Sequence, residues 1–246
     1  MKQIALVTGA AQGLGYAIAA RLFAAGYTVV ISDLSLERAQ AAAEALDASG
    51  ERVLALKLDV TNKADFEAAL AVTLERFGAL QVLVNNAAMT MTTPVMQISP
   101  EEFDSVMSLN TRSIFVGCQV FGTHMAAVGY GRIVNMASLA GQNGGTATGA
   151  HYAASKGAIV TLTKIFAKEL AASGVTVNAV APGPIDSPMV HAVVSPERMG
   201  GMLANIPVGR LGNADFLGDL IVQLARPEAY FTTGATWDVN GGLFMR

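Results

Sequence analysis

In the stretch His151-Tyr152-Ala153-Ala154-Ser155-Lys156 a phenol and a primary amine lie four positions apart, and the hydroxyl of Ser138 lies fourteen positions before the phenol. Residues at i and i+4 share one face of a helix, so Tyr152 and Lys156 can address a single site. A nearby cation favours phenolate over phenol and draws a tyrosine toward a pKa useful near neutrality. With Ser138 holding a substrate oxygen beside the phenol, the trio predicts proton transfer to or from an alcohol or carbonyl oxygen. Tyr-x-x-x-Lys arises by chance on many helices, so its meaning depends on the elements that place it.

Short apolar runs at Ile4–Val7, Thr28–Ser32, Val53–Leu58, Val82–Val84, Arg132–Met136, Val175–Val180 and Ala235–Val239 read as strands. Ala-rich segments near Leu14–Ala25, Leu36–Ala48, Lys63–Phe77, Pro100–Gly129, Tyr152–Ala172 and Ala214–Ala225 read as helices. Near-continuous Val/Ile/Leu strands separated by helices predict an α/β fold, a doubly wound parallel sheet (Rossmann fold) with helices on both faces. No linker, charge block or fixed-period repeat divides residues 1–246, so a single domain is expected. Asp186–Ile206, with Pro188, Pro196, Gly200 and Gly201, breaks the alternation and is expected to be a mobile helical flap.

Composition excludes several classes of function. The net charge is −3 and the sixteen Lys and Arg form no run, against nucleic acid as a partner. Cys118 is the single cysteine and His124, His151 and His191 lack ligand spacing, so neither a disulfide nor a metal site is expected, and a cytoplasmic setting follows. Ser113–Gly131 carries no Lys, Arg, Asp or Glu and is long enough to span a bilayer. Gly117, Gln119, Gly122, Thr123, His124 and Gly129 interrupt it, so it reads as a buried or interface helix instead of a membrane span. The start, Met1-Lys2-Gln3 before Ile4–Val7, is too short in apolar length for a signal peptide.

Directly after the first strand come Thr8-Gly9-Ala10-Ala11-Gln12-Gly13-Leu14-Gly15 and then a helix. Glycines at this junction permit a tight turn and backbone approach to a pyrophosphate, and the helix N-terminus offers free N–H groups and a positive dipole end. The second strand ends in Asp33, eighteen residues beyond Gly15. An acid there accepts from both ribose hydroxyls of adenosine and repels a 2′-phosphate. Neither the glycine loop nor Leu34-Ser35 supplies an Arg or Lys for such a phosphate, so NAD(H) is expected over NADP(H). Asp33 and Ser35 also compete to cap the helix that begins near Leu36.

Together these residues resemble the short-chain dehydrogenase/reductase family, in its compact single-domain branch, essentially end to end. Gly9, Gly13 and Gly15 fit the family's TGxxxGxG, and Gln12 and Leu14 fall within that loop. Asp59-Val60 fits the pair that touches adenine, and Asn85-Asn86-Ala87 fits the family's NNAG, with Ala88 in place of its glycine. Pro182-Gly183 with Ile185 and Ser187 resembles the segment that clasps the nicotinamide carboxamide, serine standing where threonine is usual. Gly234 to Gly242 resembles the closing strand and tail.

Asn110, Ser138, Tyr152 and Lys156 match all four members of the family's catalytic tetrad. The resemblance implies an oxidoreductase that moves hydride between nicotinamide and a carbinol carbon. In it Tyr152 is general acid/base with a pKa lowered by Lys156 and the nicotinamide charge, and Lys156 also binds the nicotinamide ribose. Ser138 orients the substrate oxygen. Asn110, at a helix irregularity, holds a water that links Lys156 to solvent. A homotetramer is also implied, with Ser113–Gly131 and the apolar face of Tyr152–Ala172 at its interfaces.

Many members are 3-oxoacyl-[acyl-carrier-protein] reductases, which typically use NADPH and carry basic residues near the active-site mouth. The corresponding neighbourhoods here, Ala126-Ala127-Val128-Gly129-Tyr130 and Ala171-Ala172-Ser173, carry no positive charge. The expected substrate is therefore a free, fairly apolar small molecule, a secondary alcohol or ketone, with carrier- or CoA-bound 3-oxoacyl substrates as the alternative. A non-catalytic cofactor-sensing protein is the alternative of another class, and the intact tetrad counts against it. Met89, Met91, Met189 and Met202 are candidates to border the substrate, with core filling as the competing role. His151 is either at the pocket mouth or an exposed helix-start residue, and Cys118 reads as a buried small hydrophobe.

Overall fold

A computed structural model describes residues 3–145, 149–187, 190 and 196–246. Its strands are β1 Ile4–Thr8, β2 Thr28–Asp33, β3 Val53–Lys57, β4 Val82–Asn85, β5 Gly131–Met136, β6 Val175–Pro182 and β7 Thr236–Val239. The helices that concern the site are α1 Gly13–Ala24, α2 Leu36–Leu46, α3 Lys63–Phe77, α4 Pro100–Met107, α5 Ser113–Val128, α6 Ala140–Asn143, α7 Ala150–Leu170, α8 Pro196–Asn205 and α9 Ala214–Ala225. The described strands form one parallel sheet in the order β3-β2-β1-β4-β5-β6-β7.

Both faces of that sheet are covered, which is why its strands read as continuous apolar runs. Ala5, Val7, Val29, Ile31, Val82 and Val84 pack with Ile18 and Leu22 of α1, Ala39 of α2 and Leu217 and Ile221 of α9. The alternate positions Ile4, Leu6, Val30 and Leu83 pack with Phe66 of α3, Ile114 and Phe121 of α5, and Ile159 of α7. Each fully buried Leu, Ile or Phe contributes about 1.5–3 kcal/mol. The chain reverses its winding between β1 and β4, so the loops after these strands diverge and leave a crevice at their carboxyl ends.

Helix starts follow local chemistry. Ser35, Asn62, Ser99 and Asn213 each accept a backbone N–H in the first turn of α2, α3, α4 and α9. Ser35 therefore wins the capping role over Asp33. Two elements differ from the sequence expectation. The segment Pro100–Gly129 is α4 and α5 joined by a π turn, Ser108–Arg112, where the sequence reading draws one helix with an irregularity at Asn110, and α6 is a short helix in a stretch to which that reading assigns no element. Of the expected flap, Pro196–Asn205 is helical. Residues 188, 189 and 191–195 lie outside the described residues. No described helix is long and apolar enough to cross a membrane.

Candidate active site

The glycine loop sits at the reversal point. Gly9 and Gly13 adopt φ of +61° and +57°, the left-handed region that glycine enters without strain. A Cβ on Gly9 would lie 2.9 Å from the Ala87 Cα, and one on Gly15 would overlap the Gly9 carbonyl oxygen and lie 2.5 Å from the Asn86 amide. The loop is pinned from the neighbouring strand. Asn86 Nδ2 donates to the carbonyls of Thr8 and Gly9 at 3.0 and 3.1 Å, and the amides of Asn86 and Ala87 both donate to Thr8 Oγ1 at 3.0 Å. Gln12 precedes the first turn of α1 and Leu14 packs under it. The first-turn N–H groups of α1 thus remain available to an anion.

Asp33 ends β2 with 8% exposure. Its Oδ1 accepts from the Ser35 amide at 3.1 Å and from Arg38 Nη2 at 3.2 Å, while no described residue donates to Oδ2. One carboxylate oxygen is thus held and the other is left to accept. The donor set fits a ribose diol at this position and a pyrophosphate at the glycine loop. Asp59 accepts from the amide and hydroxyl of Thr61, which hold its carboxyl below the usual range, and Val60 beside it is buried. Pro182 O accepts from the Leu139 amide and Gly183 N donates to Val239, so β6 ends fastened on both sides. Ile185 pairs with Gly212, and Ser187 Oγ accepts from the Val190 amide.

The four tetrad positions converge from three elements. Lys156 is 3% exposed, and its Nζ donates to the Met136 carbonyl at 2.7 Å and lies 5.6 Å from the Tyr152 ring centre. Burial pulls its pKa down to about 8. The Tyr152 phenol is pushed above its ordinary value by burial, against the opposing pull of a hydrogen bond with the Ser138 hydroxyl. Burial thus dominates the phenol, while the sequence reading expects a lowering by Lys156 together with the nicotinamide charge. The ammonium is turned toward Met136, and desolvation of the phenolate dominates.

Asn110 is fully buried in the π turn. Its Oδ1 accepts from Met89 N at 2.9 Å, and its Nδ2 donates to Met89 O at 2.9 Å and to Ser155 Oγ at 3.0 Å. Ser155 in turn donates to the Tyr152 carbonyl at 2.7 Å. The extra residue of the π turn lets one side chain leave the helix and join two loops. Ser138 Oγ also accepts from the Ala140 amide at the start of α6. Acid, amine and hydroxyl are thus gathered at the carboxyl ends of β5 and β6, beside the glycine loop.

Known proteins resemble this chain in sequence along nearly its whole length. A family model described as enoyl-(acyl carrier protein) reductase, of the short-chain alcohol dehydrogenase type, covers residues 9–244. The chain is 41% identical to 2-(R)-hydroxypropyl-CoM dehydrogenase of Xanthobacter autotrophicus, over 98% of each chain. It is 39% identical to 3-oxoacyl-[acyl-carrier-protein] reductase of Escherichia coli, over 99% of this chain and 98% of that one. The corresponding reductase of Staphylococcus aureus is 37% identical, over 100% and 99%. The chain belongs to the short-chain dehydrogenase/reductase family. It is an oxidoreductase.

Within this short-chain dehydrogenase/reductase some residues stand elsewhere than the sequence led us to expect. His151 is not exposed: it is fully buried, between Glu102 and the start of α7. Arg38, five residues past Asp33, returns to it within the first turn of α2, a proximity hidden by the cap between them. The charge-free segments Ala126–Tyr130 and Ala171–Ser173 precede β5 and β6 at their amino ends. Tyr152 sits at the carboxyl ends, so neither segment lines this chain's own active-site mouth. Met89 is half-buried, Met91 is 38% exposed on the same loop, Met202 lies on α8, and Met189 is outside the described residues. Cys118 is buried and its thiol is pushed up to about 12.

Thr8, Ser155, Glu102 and the Met136 carbonyl were not singled out from sequence. Thr8 opens the glycine motif and Ser155 lies between Tyr152 and Lys156, so position alone was a usable signal for both. Nothing local marks Glu102 or Met136.

Proposed function

We propose that residues 1–246 form one NAD(H)-binding domain that interconverts a secondary alcohol and a ketone, with Asn110, Ser138, Tyr152 and Lys156 as its catalytic residues. The observation that carries this is the convergence of Ser138, Tyr152 and a buried Lys156, whose Nζ reaches the Met136 carbonyl, at the carboxyl ends of β5 and β6. Gly9, Gln12, Gly13, Leu14 and Gly15 would hold the pyrophosphate, Asp33 the adenosine ribose, and Asp59 with Val60 the adenine. Asn86, Ala87, Pro182, Gly183, Ile185 and Ser187 would line the nicotinamide, with Tyr152 and Lys156 at its ribose. A bound NAD takes or supplies the hydride.

The chain's own groups manage the proton. Tyr152 Oη removes it from the alcohol in oxidation and returns it in reduction. The Ser138 hydroxyl holds the substrate oxygen in register with that phenol. Lys156, whose ammonium reaches the Met136 carbonyl, is placed to turn toward the phenol and the ribose. The Asn110 side chain is spent on Met89 and Ser155, so any water linking Lys156 to solvent falls to the backbone of the π turn.

NAD(H) is favoured by the Asp33 carboxylate, which would repel a 2′-phosphate. Its ion pair with Arg38 tempers that repulsion without removing it. A second reading, a 3-oxoacyl thioester as substrate, is favoured by the 37–39% identity to the two carrier-protein reductases. The proposal extends to a cytoplasmic homotetramer. Replacing Tyr152 by Phe is the test, in an NAD+-coupled absorbance screen of secondary alcohols, diols, hydroxy acids and 3-hydroxyacyl thioesters. Turnover should fall at least ~10³-fold, by loss of the proton-transfer group, with NADH binding within twofold. A fully active Y152F would overturn the mechanism.

A further inference from the structure

One ionisable pair beside the site has no part in the chemistry so far. His151, next to Tyr152, is fully buried, and its Nε2 lies 2.7 Å from Glu102 Oε1 on α4. The Tyr152 amide donates to His151 Nδ1 at 2.9 Å. A nitrogen that accepts carries no proton, so the proton resides on Nε2 and points at Glu102. This hydrogen-bond arrangement selects one tautomer. Glu102 is held below the usual carboxylate range by hydrogen bonds from Thr93 and His151. It acts as an acceptor only, which is what this tautomer requires.

The ring is built in, not tolerated. A Cβ on Gly149 would overlap His151 Cε1 and lie 2.8 Å from the Met91 carbonyl. The Gly149 amide donates to that same carbonyl at 2.8 Å. The first turn of a helix leaves its amides without intrahelical partners. Here the amide that His151 satisfies belongs to the residue bearing the phenol, and the carbonyl of that residue is held by Ser155 from the Asn110 side. Tyr152 is thus gripped at both ends of its own peptide units. One arm ends in Asn110 and the other in Glu102.

We propose that His151 and Glu102 form a positioning pair that sets the Tyr152 backbone, and through it the reach of the phenol toward the substrate oxygen. The pair ties α7 to α4 and to the 89–99 loop that carries Met89 and Met91. It rests on Tyr152 being the proton-transfer residue. Neither side chain touches the reacting atoms; both act through the Tyr152 amide. A displacement of Tyr152 on the order of 1 Å costs ~10²-fold in rate.

The test compares four variants of the full chain: H151F, E102L, E102Q and Y152F. Each is assayed with the fastest secondary alcohol of the screen, with NADH binding by fluorescence and deuterium uptake of a peptide spanning 149–156. H151F and E102L should lower kcat ~10–100-fold, the range for outer-shell positioning groups. KM for NAD+ and the NADH Kd should stay within twofold, and uptake in 149–156 should rise. E102Q keeps an acceptor oxygen for Nε2 and should recover kcat to within threefold of wild type. If H151F fails to fold, E102L against E102Q carries the same comparison. Unchanged kcat in a folded H151F or E102L would overturn the pair, as would E102Q as slow as E102L, or a loss of kcat matched by loss of NADH affinity. An inactive Y152F alongside these results leaves the tyrosine mechanism standing. An active Y152F, or no alcohol turned over, overturns both.

Discussion

At the scale of single residues, Lys156 carries a cost that the sequence hides. A lysine i+4 from a tyrosine looks like a donor of positive charge, yet burial takes its pKa from 10.5 to about 8. In the unfolded chain the amine holds its proton up to the higher value. Between about pH 8 and 10.5 the unfolded state binds more protons than the folded one, so this group makes stability rise with pH across that window. Below pH 8 the folded chain keeps a buried ammonium at a cost of on the order of 3 kcal/mol. Replacing Lys156 by Met removes that cost and also strips the Met136 carbonyl of its donor, about 1 kcal/mol in return. K156M should therefore melt above wild type at pH 7, with the advantage shrinking as the pH is raised toward 10, read by circular dichroism. A K156M that melts below wild type at pH 7 would mean that the ammonium is better solvated than its burial implies.

Tyr152 shows the same limit of sequence reasoning from the acid side. Spacing located the phenol, but its pKa depends on how much water the fold removes, which no spacing encodes. In the free chain burial raises it. A bound positive nicotinamide and a Lys156 turned toward the phenol would act in the opposite direction. The difference absorbance at 295 nm between wild type and Y152F should place Tyr152 ionisation above that of free tyrosine without cofactor, and lower with NAD+ present. An ionisation that NAD+ leaves in place would deny the cofactor any part in tuning the phenol.

Among the elements, those that were legible are the ones whose burial repeats. Continuous apolar runs gave β1, β2, β4, β5 and β6, because a strand covered on both faces cannot alternate. The boundaries moved by one or two residues, as from Arg132 to Gly131 at the start of β5 and from Val180 to Pro182 at the end of β6. The family resemblance implied a helix irregularity at Asn110, but neither the form of the π turn nor α6 was legible, since each exists for a tertiary contact. Asn110 leaves its helix to hold Met89, and α6 exists where Gly141 lies against the backbone of Lys156 and Gly157. A Cβ on Gly141 would overlap the Lys156 carbonyl carbon and lie 2.5 Å from the Gly157 nitrogen. G141A must push α6 away from α7, and Ser138, which caps into α6 through the Ala140 amide, moves with it. Turnover should fall ~10²-fold for a shift of about 1 Å, with NADH affinity nearly intact because the glycine loop is untouched. Wild-type kcat in G141A would show that α7 yields instead.

For the whole molecule, the two covered faces of the sheet leave apolar surface still unaccounted for. Phe115 of α5 and Ile165 of α7 are 43% and 57% exposed, and the Phe115 ring centre lies 5.7 Å from that of Phe166 with the rings tilted at 54°. A second group, Phe216, Tyr230, Phe231 and Trp237, is 58%, 72%, 92% and 39% exposed on α9, β7 and the 227–231 turn. In the proposed homotetramer these exposed side chains, on a chain with only 14% charged residues, are the association surfaces. Two patches on different elements, each meeting its own copy about a two-fold axis, close a tetramer with no open end. Four chains of 25.5 kDa should sediment near 102 kDa (4 × 25.5) at micromolar concentration. A carboxylate placed in one patch faces its symmetry mate across the axis, so the like charges meet in pairs. I165E should yield dimers near 51 kDa (2 × 25.5) by losing the first interface, F231E should yield dimers by losing the second, and the double variant should run as monomers. A wild-type monomer would remove the tetramer. A tetramer that survives both carboxylates would place its interfaces on other surfaces.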